Sequence, residues 1–280
     1  MPERKPLTVA IQGERGSFSH QAALEVLGQG LALLPRTSFD GVFDAVASGV
    51  ADRCVLPIEN SLAGSIHENY DRLSARSLQI VGETQLRVRH CLIGLPGASV
   101  EGIRRVASHP VALAQCREFF ARRPGIEAVA AYDTAGAVLE MVRAADVSQG
   151  AIASSLAAAL HGGQVLAEEI EDDPQNFTRF LILAREGEPV AGTSKTSIVF
   201  TLENQPGALY RALGVFALRG VDLAKIESRP LRGRPWEYAF YLDVLGDPQG
   251  VAGEAIDDLR RMARELRVLG SYPEGLRRAQ

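Results

Sequence analysis

The sequence predicts an α/β protein in two domains, a larger layered α/β domain followed by a smaller one of βαββαβ order. Three observations predict it. Up to about residue 185, short apolar runs ending in Gly, Pro or Asn alternate with apolar stripes of helical period. From Arg185 to Lys195 the periodicity stops in a charged stretch broken by Gly187, Pro189 and Gly192. Beyond it a new order of elements begins. A chain of 280 residues suits two domains of roughly 100–200 residues each.

Leu7–Gly13 is a short apolar run closed by Gly, as a buried strand would be. Ser17–Leu27 follows as a helix with Ala22, Ala23, Val26 and Leu27 on one stripe. Ser38 opens a second helix whose face holds Phe39, Val42, Phe43, Val46 and Val50. Asp52–Asn60 is the next strand. Further strands fall near Gln79–Gln85, His90–Leu95, Arg105–Ser108, Ala128–Tyr132 and Gly150–Ala153, with helices over Pro110–Arg123 and Thr134–Ala145. This alternation implies mostly parallel strands. Phe180–Ala184 is the last strand before the break. The remainder reads as a strand at Thr196–Asn204, a helix from Pro206 stopped by Gly220, and two strands within Val221–Gly246. A helix over Gly253–Leu266 and a strand at Val268–Tyr272 complete a ferredoxin-like unit.

Composition excludes several classes. Hydrophobic residues are 46% and charged residues 23%, the balance of a soluble globular chain. A net charge of -4 and 6% aromatics give no basic, ring-bearing surface for nucleic acid. The opening residues lack the apolar core of a signal peptide, and the longest bland run, Ala151–Leu160, is too short to span a membrane. Cys54, Cys91 and Cys116 are scattered, odd in number and outside any C-x-x-C, which suits a reducing cytoplasm. Five dispersed His and no Cys cluster argue against a metal, and neither a dinucleotide nor a Walker glycine pattern is present.

The polar residues with chemical potential stand at strand–helix junctions. Gly13–Ser19 lies between the first strand and helix, either as an anion site of free backbone N–H groups or as a helix start capped by Ser17 or Ser19. Glu59, Asn60 and Ser61 end a buried strand. There a carboxylate is a proton donor if burial raises its pKa, or an ordinary strand-end Glu if not. Ser108-His109-Pro110 and Asp133-Thr134 open two more helices. Converging helix starts suit a substrate with two carboxylates, although each alone is a cap. Asn176, Phe177, Thr178, Arg179 and Phe180 enter the last strand; Arg suits bidentate carboxylate binding and Thr offers a hydroxyl.

Together these segments resemble the prephenate dehydratase family over almost the whole chain. The matching blocks, in family order, are Gly13–Ser19, Leu56–Ser61, Ser108–Cys116, Asp133–Ala135, Ala151–Ser154 and Asn176–Phe180. Thr178-Arg179-Phe180 is the family's catalytic signature. The C-terminal part resembles an ACT domain through Pro206–Leu209 and Glu227–Pro230. Two positions depart from the family pattern: Val111 stands where Gln is usual, and Tyr210 where Val is common.

The resemblance implies a two-lobed, periplasmic-binding-protein-like catalytic domain over residues 1–185, with crossovers near 83–89 and 168–176. A linker at 186–194 and an ACT regulatory domain at 195–280 would follow. It implies decarboxylating dehydration of prephenate to phenylpyruvate in phenylalanine synthesis, without a cofactor, in a cytoplasmic homodimer or homotetramer. Thr178 would be the essential hydroxyl, Arg179 a carboxylate holder and Glu59 an acid or orienter. Ser17, Asn60, Ser61, Ser108, His109, Thr134, Asn176 and Phe180 would contact substrate. Phenylalanine would bind as effector near Asn204, Gly207, Ala208, Leu209, Glu227, Ser228, Arg229 and Pro230, between paired small domains. An arogenate dehydratase and a catalytically silent amino-acid sensor are the rival readings.

Overall fold

The structure, a computed structural model, describes residues 6–231 and 233–275. The opening residues 1–5, where a leader was not expected, lie outside the described residues, as do Arg232, within the stretch expected to hold two strands, and residues 276–280 at the end of the expected C-terminal domain. Among the described residues no helix is long and apolar enough to cross a membrane.

The chain opens with β1 (Thr8–Gln12), α1 (Phe18–Leu27), β2 (Ala32–Arg36), α2 (Phe39–Ala47) and β3 (Arg53–Asn60). β1 is parallel to both β2 and β3. Val9, Ala10 and Ile11 are fully buried, as a strand covered on both faces requires. Val42, Phe43 and Val46 of α2 are buried, whereas Val50 lies past the helix end and is exposed. β2 is not foreseen by its sequence because Pro35 interrupts it. Its place at the sheet edge is where a strand tolerates Pro.

Next come β4 (Gly64–Ser65), α3 (His67–Ser74), β5 (Leu78–Arg87), β6 (Cys91–Gly94), β7 (Arg105–Ser108), α4 (Pro110–Ala114), α5 (Arg117–Ala121) and β8 (Glu127–Ala130). α6 (Thr134–Ala144), β9 (Gln149–Ala153), α7 (Ser155–His161), β10 (Gln164–Ala167) and β11 (Phe177–Arg185) follow. The helix expected over Pro110–Arg123 is two helices. The Asp172 carboxylate accepts from the N–H groups of Arg117 and Glu118 at 3.0 and 2.8 Å, and its own N–H donates to the Gln115 carbonyl at 2.7 Å. An outside side chain thus caps a second helix start.

Two sheets result, β2-β1-β3-β11-β5 with β4 beside β3, and β10-β6-β9-β7-β8. The second is not all-parallel: β6 runs antiparallel to both neighbours, β9 and β10, while β9, β7 and β8 are parallel. β6 is the strand by which the chain enters this sheet, and only strands joined by crossovers must run alike. The chain returns to the first sheet at β11. This two-sheet arrangement is the periplasmic-binding-protein-like fold.

The described residues group into two compact units, one of residues up to 66 with 84–180, the other of 67–83 with 181–275. Residues 186–194 hold no helix or strand. The second unit continues with β12 (Lys195–Thr201), α8 (Ala208–Ala217), β13 (Leu223–Pro230), β14 (Tyr238–Leu245), α9 (Val251–Met262) and β15 (Glu265–Tyr272). Its sheet, β13-β14-β12-β15, is antiparallel throughout. Ile198, Phe200, Leu242 and Val244 pack with Ala212 and Phe216 of α8 and Ile256 and Leu259 of α9. α3 belongs here because Tyr70 packs edge-on against Tyr241 at 5.0 Å and accepts its hydroxyl proton at the backbone carbonyl. Asp71 takes a two-pronged bond from Arg229 at 3.1 and 3.0 Å.

Candidate active site

A cavity of about 490 Å³ lies within the first unit, lined from both of its sheets. Three helices begin at its wall. Ser17 caps α1 by accepting from the His20 N–H, His109 Nδ1 caps α4 by accepting from Val111, and Asp133 caps α6 by accepting from Gly136. Ser17, His109, Asp133 and Thr134 all line the cavity. Helix starts leave backbone N–H groups unpaired and carry partial positive charge, so the wall favours anionic groups. Among the described lining residues none is Lys or Arg, and Asp133 is the one carboxylate.

Thr178 and Phe180 enter the same cavity from β11 and Asn60 from the end of β3. The two hydrogens of Asn60 Nδ2 serve three acceptors, Asn176 Oδ1 at 2.7 Å, Thr178 Oγ1 at 3.0 Å and the Phe177 carbonyl at 3.2 Å, one hydrogen being shared. Because Thr178 Oγ1 accepts from Asn60, its own proton is available to the cavity. Asn176, fully buried, passes the chain on to Gln115 Oε1 at 2.9 Å, and His90 Nε2 meets the same oxygen at 2.9 Å.

The Gly13–Gly16 loop ties the two sheets together. The Glu14 N–H donates to Asp133 Oδ2 at 2.9 Å, Ser154 Oγ donates to the Gly16 carbonyl at 2.6 Å, and His161 Nε2 meets the Arg15 carbonyl at 2.7 Å. Gly16 is required: its φ is +91°, and a Cβ would sit 2.6 Å from Ala157 Cα. Tyr132 Oη donates to Glu14 Oε1 at 3.3 Å over the cavity. Burial, with the nearby Asp133 and Glu14 carboxylates, pushes this phenol up to about 12, so it stays protonated. Of the two readings of Gly13–Ser19, the cap at Ser17 is present, and the loop also serves as a clasp.

The structure therefore brings Ser17, Asn60, His109, Thr134, Thr178 and Phe180 to one cavity. It does not bring Arg179, Glu59, Ser61, Ser108 or Asn176 to the wall. Neighbours on a strand point to opposite faces, so Thr178 and Phe180 in the wall direct Arg179 away. Glu59 stands opposite Ser65 in the β3–β4 pair. Ser61 stitches β3 to β11 through bonds to the Gln175 carbonyl and the Phe177 N–H. Ser108 is buried and donates to the Ile152 carbonyl. Asn176 acts one bond behind the wall. Sequence reasoning missed Phe18, Phe39, His90, Gln115 and Tyr132 as lining residues. The departure at Val111 places an exposed apolar side chain in this wall.

In the second unit a smaller pocket of about 110 Å³ is lined by Asn204, Ala208 and Leu209, with Trp236, Tyr238 and Phe240. Gly207, at φ +76°, starts α8 beside it. Glu227, Ser228, Arg229 and Pro230 do not line it. They lie on the edge strand β13, where Glu227 meets His67 at 3.2 Å and Arg229 holds Asp71. Tyr210 is largely exposed.

Fold and site together define a two-lobed α/β protein with a cavity between its sheets and a ferredoxin-like C-terminal unit. Residues 9–188 match the family model described as prephenate dehydratase, and residues 196–260 match that of the ACT domain. The chain belongs to the prephenate dehydratase family and carries an ACT domain. It is 47% identical over 278 residues to "Arogenate dehydratase/prephenate dehydratase 2, chloroplastic" of Arabidopsis thaliana, covering 95% of this chain and 72% of the relative. A prephenate dehydratase from Arthrobacter aurescens, solved in complex with L-Phe, is 33% identical with a TM-score of 0.87, covering 95% of this chain and 90% of that one. A structure described as "GqqA- a novel type of quorum quenching acylases" is 37% identical with a TM-score of 0.89, covering 97% of this chain and all of that one.

Proposed function

We propose that this chain is a prephenate dehydratase that converts prephenate, one proton being consumed, to phenylpyruvate, carbon dioxide and water. The observation that carries the reading is the Thr178 hydroxyl, fixed by Asn60 with its proton free toward a cavity ringed by helix starts. The ring C–C bond to the carboxylate breaks, its electron pair completes the aromatic ring, and the ring hydroxyl leaves as water. Aromatisation drives the step, so the protein needs only to bind, orient and donate. The helix starts at Ser17 and Thr134 hold carboxylates through backbone N–H groups. Thr178 donates to the departing hydroxyl oxygen as negative charge grows there. Arg179 and Glu59 lie outside the lining, and we assign them to orienting β11 and β3 rather than to contact with substrate.

The same reading divides the chain into a catalytic domain at 1–185, a linker at 186–194 and an ACT domain at 195–280, and places it in the cytoplasm, in keeping with three free buried cysteines. The ACT domain binds phenylalanine and lowers activity. Asn204, Ala208 and Leu209 supply one wall of the effector site, and Glu227–Pro230 of a second copy supply the other, which makes the enzyme a homodimer or homotetramer. One observation favours a second substrate: a wall with Asp133 and without Lys or Arg suits the ammonium group of arogenate. Steady-state rates on each substrate, with and without phenylalanine, test the substrate and the regulation. Prephenate is expected to have the higher kcat/KM, with inhibition by phenylalanine. A higher kcat/KM on arogenate would move the assignment to the amino substrate, and unchanged rates at saturating phenylalanine would remove the regulation.

A further inference from the structure

The hydrogen-bond chain behind Thr178 has a polarity that two backbone groups fix. The N–H groups of Leu62 and Ala63 donate to one end of the Asn60 amide at 3.0 and 2.9 Å. That end must be oxygen, because backbone N–H groups only donate. The other end is then nitrogen, in agreement with its contact to the Phe177 carbonyl, which only accepts. Asn60 Nδ2 makes its partner on Asn176 an oxygen, which leaves Asn176 Nδ2 to donate to Gln115. The Gln115 atom is therefore Oε1, and His90, meeting the same oxygen at 2.9 Å, must donate from Nε2. Each amide orientation and the histidine tautomer follow from the first link.

His90 is held as a fixed donor. Its backbone N–H donates to Glu171 Oε2 at 2.8 Å, its carbonyl accepts from Ile170 at 3.0 Å, and Phe18 packs edge-on against its ring at 5.5 Å. His90 is 2% exposed, and its Nδ1 is buried without a hydrogen-bond partner. A bare lone pair at Nδ1 is what the Nε2–H tautomer requires. Burial lowers the pKa of the ring, outweighing the opposing contributions of the Gln115 bond and the Glu171 charge, which keeps it neutral. With Oε1 held by two donors, His90 and Asn176, the Gln115 amide nitrogen is the end left for the cavity that this residue lines.

We infer that His90 is a positioning residue for the reaction: its Nε2–H, with Asn176, locks the Gln115 amide so that its N–H groups face the substrate as donors. The inference rests on the reaction proposed above. Its worth lies in the absence of Lys and Arg from the described lining, since a carboxylate must then be met by uncharged donors, of which an oriented amide is one. Without His90 the Gln115 amide keeps one tether and can turn its oxygen to the cavity, where it would repel that carboxylate.

Two measurements test it. Histidine ¹⁵N spectra of the wild-type protein at pH 7 are expected to show His90 neutral and protonated at Nε2; an Nδ1–H tautomer or an imidazolium would overturn the inference, whatever the activity. In a double-mutant cycle, His90→Leu is expected to lower kcat/KM about tenfold, mostly through KM, and to have little further effect once Gln115→Ala is present. Additive losses would overturn it. Should His90→Leu not fold, His90→Gln, which returns an N–H near the Nε2 position, is expected to exceed His90→Asn by about tenfold; equal rates would again overturn it. A wild-type enzyme inactive on prephenate and arogenate would defeat the proposed function and leave the tautomer result standing.

Discussion

Thr178→Ala is expected to lower kcat by about 10²–10³-fold with KM little changed, the loss seen when one donor to a developing oxyanion is removed. The hydroxyl is the group that Asn60 holds at 3.0 Å and that the cavity receives from β11. In the proposed mechanism it meets the departing oxygen only as charge develops, so its removal is expected to leave ground-state binding at the helix starts intact. Thr178 is 8% exposed and lines the cavity, where a smaller side chain is expected to cost little stability. Steady-state kinetics beside a thermal melt check the prediction. A variant with wild-type kcat would remove Thr178 from the chemistry, and a collapse of the melting temperature would make its role structural.

Lys195→Met is expected to destabilise the C-terminal unit by about 3–5 kcal/mol, the usual cost of removing one partner of a buried ion pair. Lys195 Nζ lies 2.7 Å from Glu83 Oε1, and the two side chains are 5% and 0% exposed. Glu83 also accepts from the Gly275 N–H at 2.9 Å, and Glu274 adds a second carboxylate 3.4 Å from the ammonium. Without Lys195, Glu83 keeps its desolvation cost and loses the ammonium 2.7 Å away. Adding Glu83→Leu is expected to recover part of the loss, because no buried charge then remains. Denaturant unfolding of the wild type, the single variant and the double variant measures both effects. A loss below about 1 kcal/mol, the value of a surface pair, would show that water reaches Glu83.

These expectations draw on parts of the molecule that differ in how far the sequence announces them. The buried strands β1 and β3, the striped helices α2 and α6, and the βαββαβ order were legible because their periodicity is local. α7, with the sequence SLAAALH, carries no contrast between faces, and α3 is polar except for Tyr70 and Leu73. Both were invisible because neighbours distant in sequence select them. The break between α4 and α5 depends on Asp172, a residue far along the chain. In the site, Ser17, Asn60, His109, Thr134 and Thr178 were legible as polar residues at junctions. His90 and Gln115 were not, since their roles exist only through partners 25 and 61 positions away. Arg179 shows the opposite case. Its charge invited a carboxylate-binding role, yet the two-residue period between Thr178 and Phe180 already directs it to the other face.

The central claim is tested most directly by supplying the purified chain with prephenate and measuring phenylpyruvate and carbon dioxide together. Equimolar release of both, lost in Thr178→Ala, is the predicted result. Absence of both products from a folded wild-type chain, with phenylalanine still bound, would contradict it and leave an amino-acid sensor in place of an enzyme.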